Sequence, residues 1–202
     1  MTRLAYHPEK SVIRLELKRN VILRDLSDDD LAELEPHLTI VDGHKGDALL
    51  TQGVREMAQY FILDGVLKRV VSNKDGKEMI LRIAAEGDLE TSYAAWRLGT
   101  PTPYGIVCVT KARVARMPLE DWVAFLDIRP AAKAAFEHFV MGLMSEIMAH
   151  TITLHLLDAP GRVQRFERKH AELVDRIPQK QLASYLNLSA ETLSRLRRKA
   201  KA

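Results

Sequence analysis

The chain has 202 residues, 47% hydrophobic and 28% charged, and a mean hydropathy of −0.15, values that exclude a disordered polymer and a chain built of membrane spans. No uninterrupted apolar run of roughly 20 residues is present, and MTRLAYHPEK lacks a signal-peptide core, so the expectation is a cytoplasmic protein without membrane contact. The net charge of +3 is uneven: residues 178–202 carry six basic groups and one acid, which places any polyanion-binding surface at that end.

In chain order, Leu26-Ser27-Asp28-Asp29-Asp30-Leu31 puts a capping residue and three acids at the start of a short helix. From Thr39 to Arg116 short apolar or alternating runs follow: Ala48–Leu50, Tyr60–Leu63, Val66–Val71, Met79–Ile83 and Ile106–Val109. Asp42-Gly43, Asp64-Gly65, Asp75-Gly76 and Gly87-Asp88 punctuate them, the spacing of a small antiparallel barrel or roll. The single cysteine, Cys108, falls in the last run and reads as a small core residue. It excludes an intrachain disulfide and an iron–sulfur cluster held by several cysteines of one chain.

After Arg129-Pro130 the period changes. Phe136, Val140, Leu143, Ile147, His150, Leu154 and Leu157 recur in alternating steps of four and three, the seam of a coiled coil, so residues 130–158 are expected to form a central dimer helix. The competing assignment is a helix lying on its own β-domain, since Phe139, Met144 and Met148 broaden the apolar face. His150 within this seam reads as a polar residue fixing register, with a pH- or metal-sensitive switch as the alternative; no second metal ligand has matching spacing. Asp158-Ala159-Pro160-Gly161 ends the helix, and Val163, Phe166, His170, Leu173 and Val174 suggest one further amphipathic helix, broken at Ile177-Pro178.

The terminal stretch PQKQLASYLNLSAETLSRLRRK carries the most specific pattern. Leu182, Ala183 and Leu186 form the inner face of one short helix, Asn187-Leu188 makes a turn, and Ser189 caps a second helix holding Thr192, Leu193 and Leu196. This is the grammar of a helix-turn-helix. Its second helix would offer Ala190, Glu191, Ser194 and Arg195 to base edges, with Arg195 suited to guanine and Glu191 to a cytosine amino group. Ser189, Lys180, Arg197, Arg198, Lys199 and Lys201 are assigned to phosphates, adding affinity without sequence information.

These residues resemble the Crp/Fnr transcription regulators over nearly the whole chain. Gly76–Leu81 (GKEMIL) and Gly87-Asp88-Leu89 look like that family's β-roll sensor, and Ala190-Glu191-Thr192-Leu193-Ser194-Arg195 like its recognition helix. Ile177-Pro178-Gln179-Lys180 and Ala183-Ser184-Tyr185-Leu186 strengthen the likeness. The resemblance implies an α+β protein: an antiparallel β-roll sensor over 1–129, a dimer helix over 130–158 and an all-α helix-turn-helix domain over 159–202. It also implies a homodimer on palindromic double-stranded DNA, with RNA polymerase as a further partner.

Two departures bear on this. Family members that bind cyclic AMP hold its ribose with a glutamate and its phosphate with an arginine, where this chain has Ser92 and Thr102; burying a phosphate without a cation is costly, so cyclic AMP is not expected. No N-terminal cysteine cluster is present for an iron–sulfur sensor. The sequence also stops without the β-hairpin wing of many relatives, leaving those phosphate contacts to the basic tail. Ser92, Tyr93, Trp96, Arg97, Thr102 and Tyr104 are the candidate lining of an effector pocket whose ligand stays unassigned. The rival function is a ligand sensor whose terminal helices dock a protein instead of DNA. No nucleophile elbow, phosphate loop or metal-ligand spacing supports an enzyme.

Overall fold

The computed structural model describes residues 1–201, with side chains to residue 199. An N-terminal strand, β1 (Thr2–Arg3), precedes helices α1 (Lys10–Leu17) and α2 (Asp28–Leu34). The strands β2 (Thr39–Gly43), β3 (Ala48–Leu50), β4 (Ala58–Asp64), β5 (Leu67–Ser72), β6 (Glu78–Ala84) and β7 (Leu89–Glu90) lead to α3 (Tyr93–Arg97). Then come β8 (Gly105–Cys108), β9 (Ala112–Pro118), α4 (Leu119–Asp127) and the long α5 (Pro130–Leu156). Helices α6 (Ala159–Lys169), α7 (Gln179–Tyr185) and α8 (Ala190–Lys201) complete the chain.

The strands form two antiparallel sheets, ordered β1-β2-β9-β4-β7 and β3-β8-β5-β6, that close on each other as the expected roll. The Asp-Gly turns set their register. Gly65 has φ +89, and a Cβ there would come within 2.2 Å of the Lys111 carbonyl oxygen, so the turn from β4 to β5 requires glycine. Strands β2 and β9, which the sequence pattern did not separate, pair with each other from Thr39↔Arg116 to Gly43↔Ala112.

The first helices cover one sheet. Ser27 and Asp30 form a reciprocal capping box at α2, satisfying two amides that would otherwise face solvent unpaired. Arg129 ties this helix to the start of α5 through Asp30 at 2.6 Å and Glu33 at 2.5 Å, and lies over the Phe125 ring. Beneath them Trp122 packs edge-on against Phe61 at 5.2 Å and Phe136 at 5.4 Å.

That contact corrects the assignment of the seam. Phe136, Val140 and Leu143 are buried in the chain's own core, leaving them no surface for a partner copy. Ile147 and His150 face the C-terminal helices, Leu154 is half-buried, and Leu157 lies just past the helix end. The steps of four and three were real, but they mark the face turned toward this chain. Exposed apolar residues occupy the opposite face: Met141, Met144, Met148, Ile152 and Leu156, between 48% and 77% exposed. At 3.6 residues per turn these five drift along one stripe about half a turn from Phe136 and Leu143. With both faces apolar, α5 is long and apolar enough to cross a membrane by length and composition, although one face packs on protein.

The helix ends at Leu156, and Asp158 caps α6 by accepting from the Gly161 amide at 2.9 Å. Helix α6 stops at Lys169, so Leu173 and Val174 belong to a following tight turn, not to one continuous helix. The C-terminal helices do not form a detached unit. Phe166, Leu182, Leu186 and Leu193 share a core with Ile80 and Ile83 of β6.

Candidate DNA interface and effector pocket

The terminal helices take the corner their residues demand. Asn187 has φ 52, the only left-handed non-glycine among the described residues, and Leu188 donates its amide to the Ala183 carbonyl at 2.8 Å. Ala183, buried, lets α7 and α8 approach. Ser189 Oγ accepts from the Thr192 amide at 3.1 Å, so the serine's hydroxyl is spent on starting α8.

Outward from that corner, Ala190, Glu191, Ser194 and Arg195 line one open groove of about 570 Å³. Gln179 and Arg198 line it too. Gln179 enters through its hydrogen bond to the Ala190 carbonyl at 3.2 Å, a contact across eleven residues that no local pattern marks. Arg198, a phosphate candidate by sequence, stands four residues from Ser194 and seven from Glu191, hence on the same face. Lys180 and Lys199 are exposed at the flanks, while the side chain of Lys201 lies outside the described residues.

Arg197 is a correction. Its Nε pairs with Glu167 at 3.2 Å and its Nη2 donates to the Val174 carbonyl at 3.3 Å. It anchors α8 to α6 and is not free for a phosphate.

The candidate effector residues divide. Ser92 and Thr102 are fully buried with hydroxyls 3.5 Å apart, and Tyr104 donates to the Thr91 carbonyl at 2.7 Å. Tyr93 and Trp96 stack on each other outside the roll; Tyr93 donates to Glu137 at 2.9 Å and packs edge-on against Phe136. Arg97 is exposed. The six therefore do not line a common cavity.

What fills the roll beside Ser92 and Tyr104 is an ion cluster. Glu90, fully buried, accepts from Arg69 Nε at 2.9 Å and from Arg82 Nη1 at 2.6 Å. Arg82 also pairs with Asp88, and the Arg69 guanidinium sits 4.2 Å from the centre of the Tyr104 ring. Burial alone would raise the Glu90 pKa; the two guanidiniums outweigh it and hold the carboxyl below its ordinary value. Arg69 and Arg82 face each other in register on β5 and β6. Charged residues at inward positions of otherwise apolar strands were the available signal for this cluster.

One further assignment changes and one stands. His150 does not sit at a dimer seam: its ring stacks on Tyr185 of α7 at 3.9 Å. Burial pushes its pKa down to about 4, against the opposing Tyr185 backbone and with help from the positive charge of His170, Lys169 and Arg165, so it is neutral near pH 7. Cys108 is buried with its thiol pushed up to about 11, mainly by burial, which makes it an unreactive packing residue. No group of three metal-ligating side chains occurs among the described residues.

The cyclic nucleotide-binding domain family matches residues 41–129. No curated protein matches the sequence. Among solved structures, FixK2 from Bradyrhizobium japonicum superimposes with a TM-score of 0.72 at 15% identity, over 80% of this chain and 83% of that one. The c-di-GMP-responsive global regulator CLP of Xanthomonas campestris gives 0.70 at 13% identity, over 87% and 92%. The catabolite activator protein of Thermus thermophilus gives 0.56 at 17%, over 89% and 86%. At these identities the likeness is one of fold.

Proposed function

We propose that this chain, which has the fold of the Crp/Fnr regulators and a cyclic nucleotide-binding domain over residues 41–129, is a dimeric, sequence-specific DNA-binding transcription regulator of the cytoplasm. The observation that carries the reading is the groove face of α8. A capped helix presents Glu191, Ser194, Arg195 and Arg198 outward, with its apolar side locked into the core by Leu193. Such a face matches the major groove, where Arg195 and Arg198 can pair with guanine and Glu191 can accept from cytosine.

The dimer surface in this reading is the exposed stripe of α5 from Met141 to Leu156. Burying each such side chain is worth roughly 1.5–3 kcal/mol, ample for a dimer, and methionine adapts readily to a partner. Two copies joined along α5 would present two α8 helices to a palindromic site.

The roll of this regulator is proposed not to take cyclic AMP. The more deeply buried of its two guanidiniums, Arg69, is committed to Glu90, and any incoming phosphate would have to displace that carboxylate. Its single cysteine, buried, gives no footing for an iron–sulfur cluster.

The test is selection of a binding site from random DNA followed by a salt titration. The expected result is a palindromic site whose log affinity falls with log salt by about 0.9 per phosphate contact. A protein dock has no reason to hold DNA, so absence of any selected sequence would overturn the reading in favour of the docking alternative.

A further inference from the structure

Where α5, α6, α7 and β6 meet, a cavity of about 50 Å³ opens, lined by Arg82, Arg162, Arg165, Lys169, Glu146 and His150 among others. We propose that this junction binds a small divalent oxyanion, of the phosphate or sulfate type, which holds the terminal helices against the roll. The proposal goes beyond the DNA-binding reading and does not depend on it.

The charges decide the sign of the ligand. Arg82 is answered by Asp88 and Glu90, and Lys169 by Glu146 at 2.9 Å. Arg162 and Arg165 have no carboxylate among the described residues, so the cavity wall keeps two positive charges in excess. Arg162 uses its Nε on the Leu157 carbonyl and its Nη1 on the Leu186 and Asn187 carbonyls, leaving Nη2 without a partner among the described residues. Arg165, exposed and beside the cavity, supplies a second guanidinium.

A buried polar atom is also unspent. His150 Nε2 is buried and makes no hydrogen bond of full geometry among the described residues, the Tyr185 backbone being the polar group that supports its charged form; its ring lines this cavity and is fixed by stacking on Tyr185. A buried unpaired ring nitrogen costs free energy that a bound acceptor would recover. An oxyanion there would meet Nε2–H from α5 and guanidinium donors from α6, close to the α7 ring that stacks on His150. A neutral or cationic ligand would leave both arginines unanswered. A larger ligand would exceed the room, which suits a few waters or one tetrahedral ion.

Inorganic phosphate, titrated into the intact protein at pH 7 with chloride keeping the ionic strength constant, tests this by calorimetry and by thermal unfolding. The expected result is saturable binding of one phosphate per chain, competed by sulfate, with the unfolding midpoint raised by about 5 °C at a hundredfold excess over Kd. Arg165→Ala, a change at an exposed side chain, and His150→Phe, which keeps a ring on Tyr185, should each weaken binding at least tenfold. Absence of a saturable signal in the wild type, or phosphate affinity unchanged in both variants, would overturn the proposal.

Discussion

The two faces of α5 are equally apolar in sequence and opposite in circumstance. Phe136, Val140 and Leu143 are sealed inside this chain, while Met141, Met144, Met148, Ile152 and Leu156 face outward. Their periods are the same, because both obey the helix; only the partner differs. A run of steps of four and three locates a stripe but not what covers it. Side-chain type separates the two better: the inner face carries an aromatic ring locked among Trp122 and Tyr93, the outer one flexible methionines.

Truncating one residue on each face separates the two. Phe136→Ala should cost about 3–5 kcal/mol of stability, measured by denaturant unfolding, because the cavity lies between packed rings that cannot close over it. Met148→Ala should cost the isolated fold less than about 1 kcal/mol, since it leaves no internal void. Equal losses at the two positions would show that the faces are not distinct.

A charge on the outer face tests what covers it. The double change Met144→Glu and Met148→Glu should leave the helical content unchanged and yield monomers in sedimentation, with affinity for a palindrome falling at least tenfold. The energy at stake is the roughly 1.5–3 kcal/mol of burial per side chain, together with the cost of desolvating a carboxylate. A dimer that persists would move the proposed interface off α5.

Much of the fold was legible because its signals are local. The capping residues Ser27 and Ser189, the Asp-Gly turns and the left-handed Asn187 each act within four residues, and the elements they start or stop are where the pattern put them. The groove residues Glu191, Ser194 and Arg195 were legible for the same reason. The ion cluster was not: Glu90 lies 21 residues from Arg69 and eight from Arg82, and only strand pairing joins them. The orientation of α5 was illegible for a different reason, since two apolar faces give the pattern no contrast.

His150 lies on the inner side of α5, against Tyr185, and pH tests whether it stays there. Its pKa in the fold, about 4, is below its ordinary 6.5, so between those values the unfolded chain binds a proton that the folded one excludes. The stability is therefore fully present above about pH 6.5 and is lost as the pH falls toward 4. The loss attributable to this group should be about 2–3 kcal/mol, and His150→Phe should flatten that limb while leaving the stability at pH 8 nearly unchanged. An unaltered acid limb would place the ring in contact with water.

Two adjacent arginines on α8 repeat the contrast between inward and outward faces within one step of the chain. Arg198 lines the open groove with Ser194 and Arg195, so Arg198→Ala should weaken the selected site by about 1–3 kcal/mol if it reads a base. Random DNA should then be affected far less; an equal loss on both would return Arg198 to phosphate binding. Arg197 is held by Glu167 and the Val174 carbonyl, 30 and 23 residues back. Arg197→Ala should leave DNA affinity within about twofold and lower stability by less than about 1 kcal/mol, the usual worth of a largely solvent-screened pair. Gel-shift titrations on specific and random duplexes, run beside thermal unfolding, separate the outcomes. If Arg197→Ala instead flattens the salt slope by about one unit, its pairing with Glu167 breaks when DNA arrives, and α8 turns its inner flank to the phosphates.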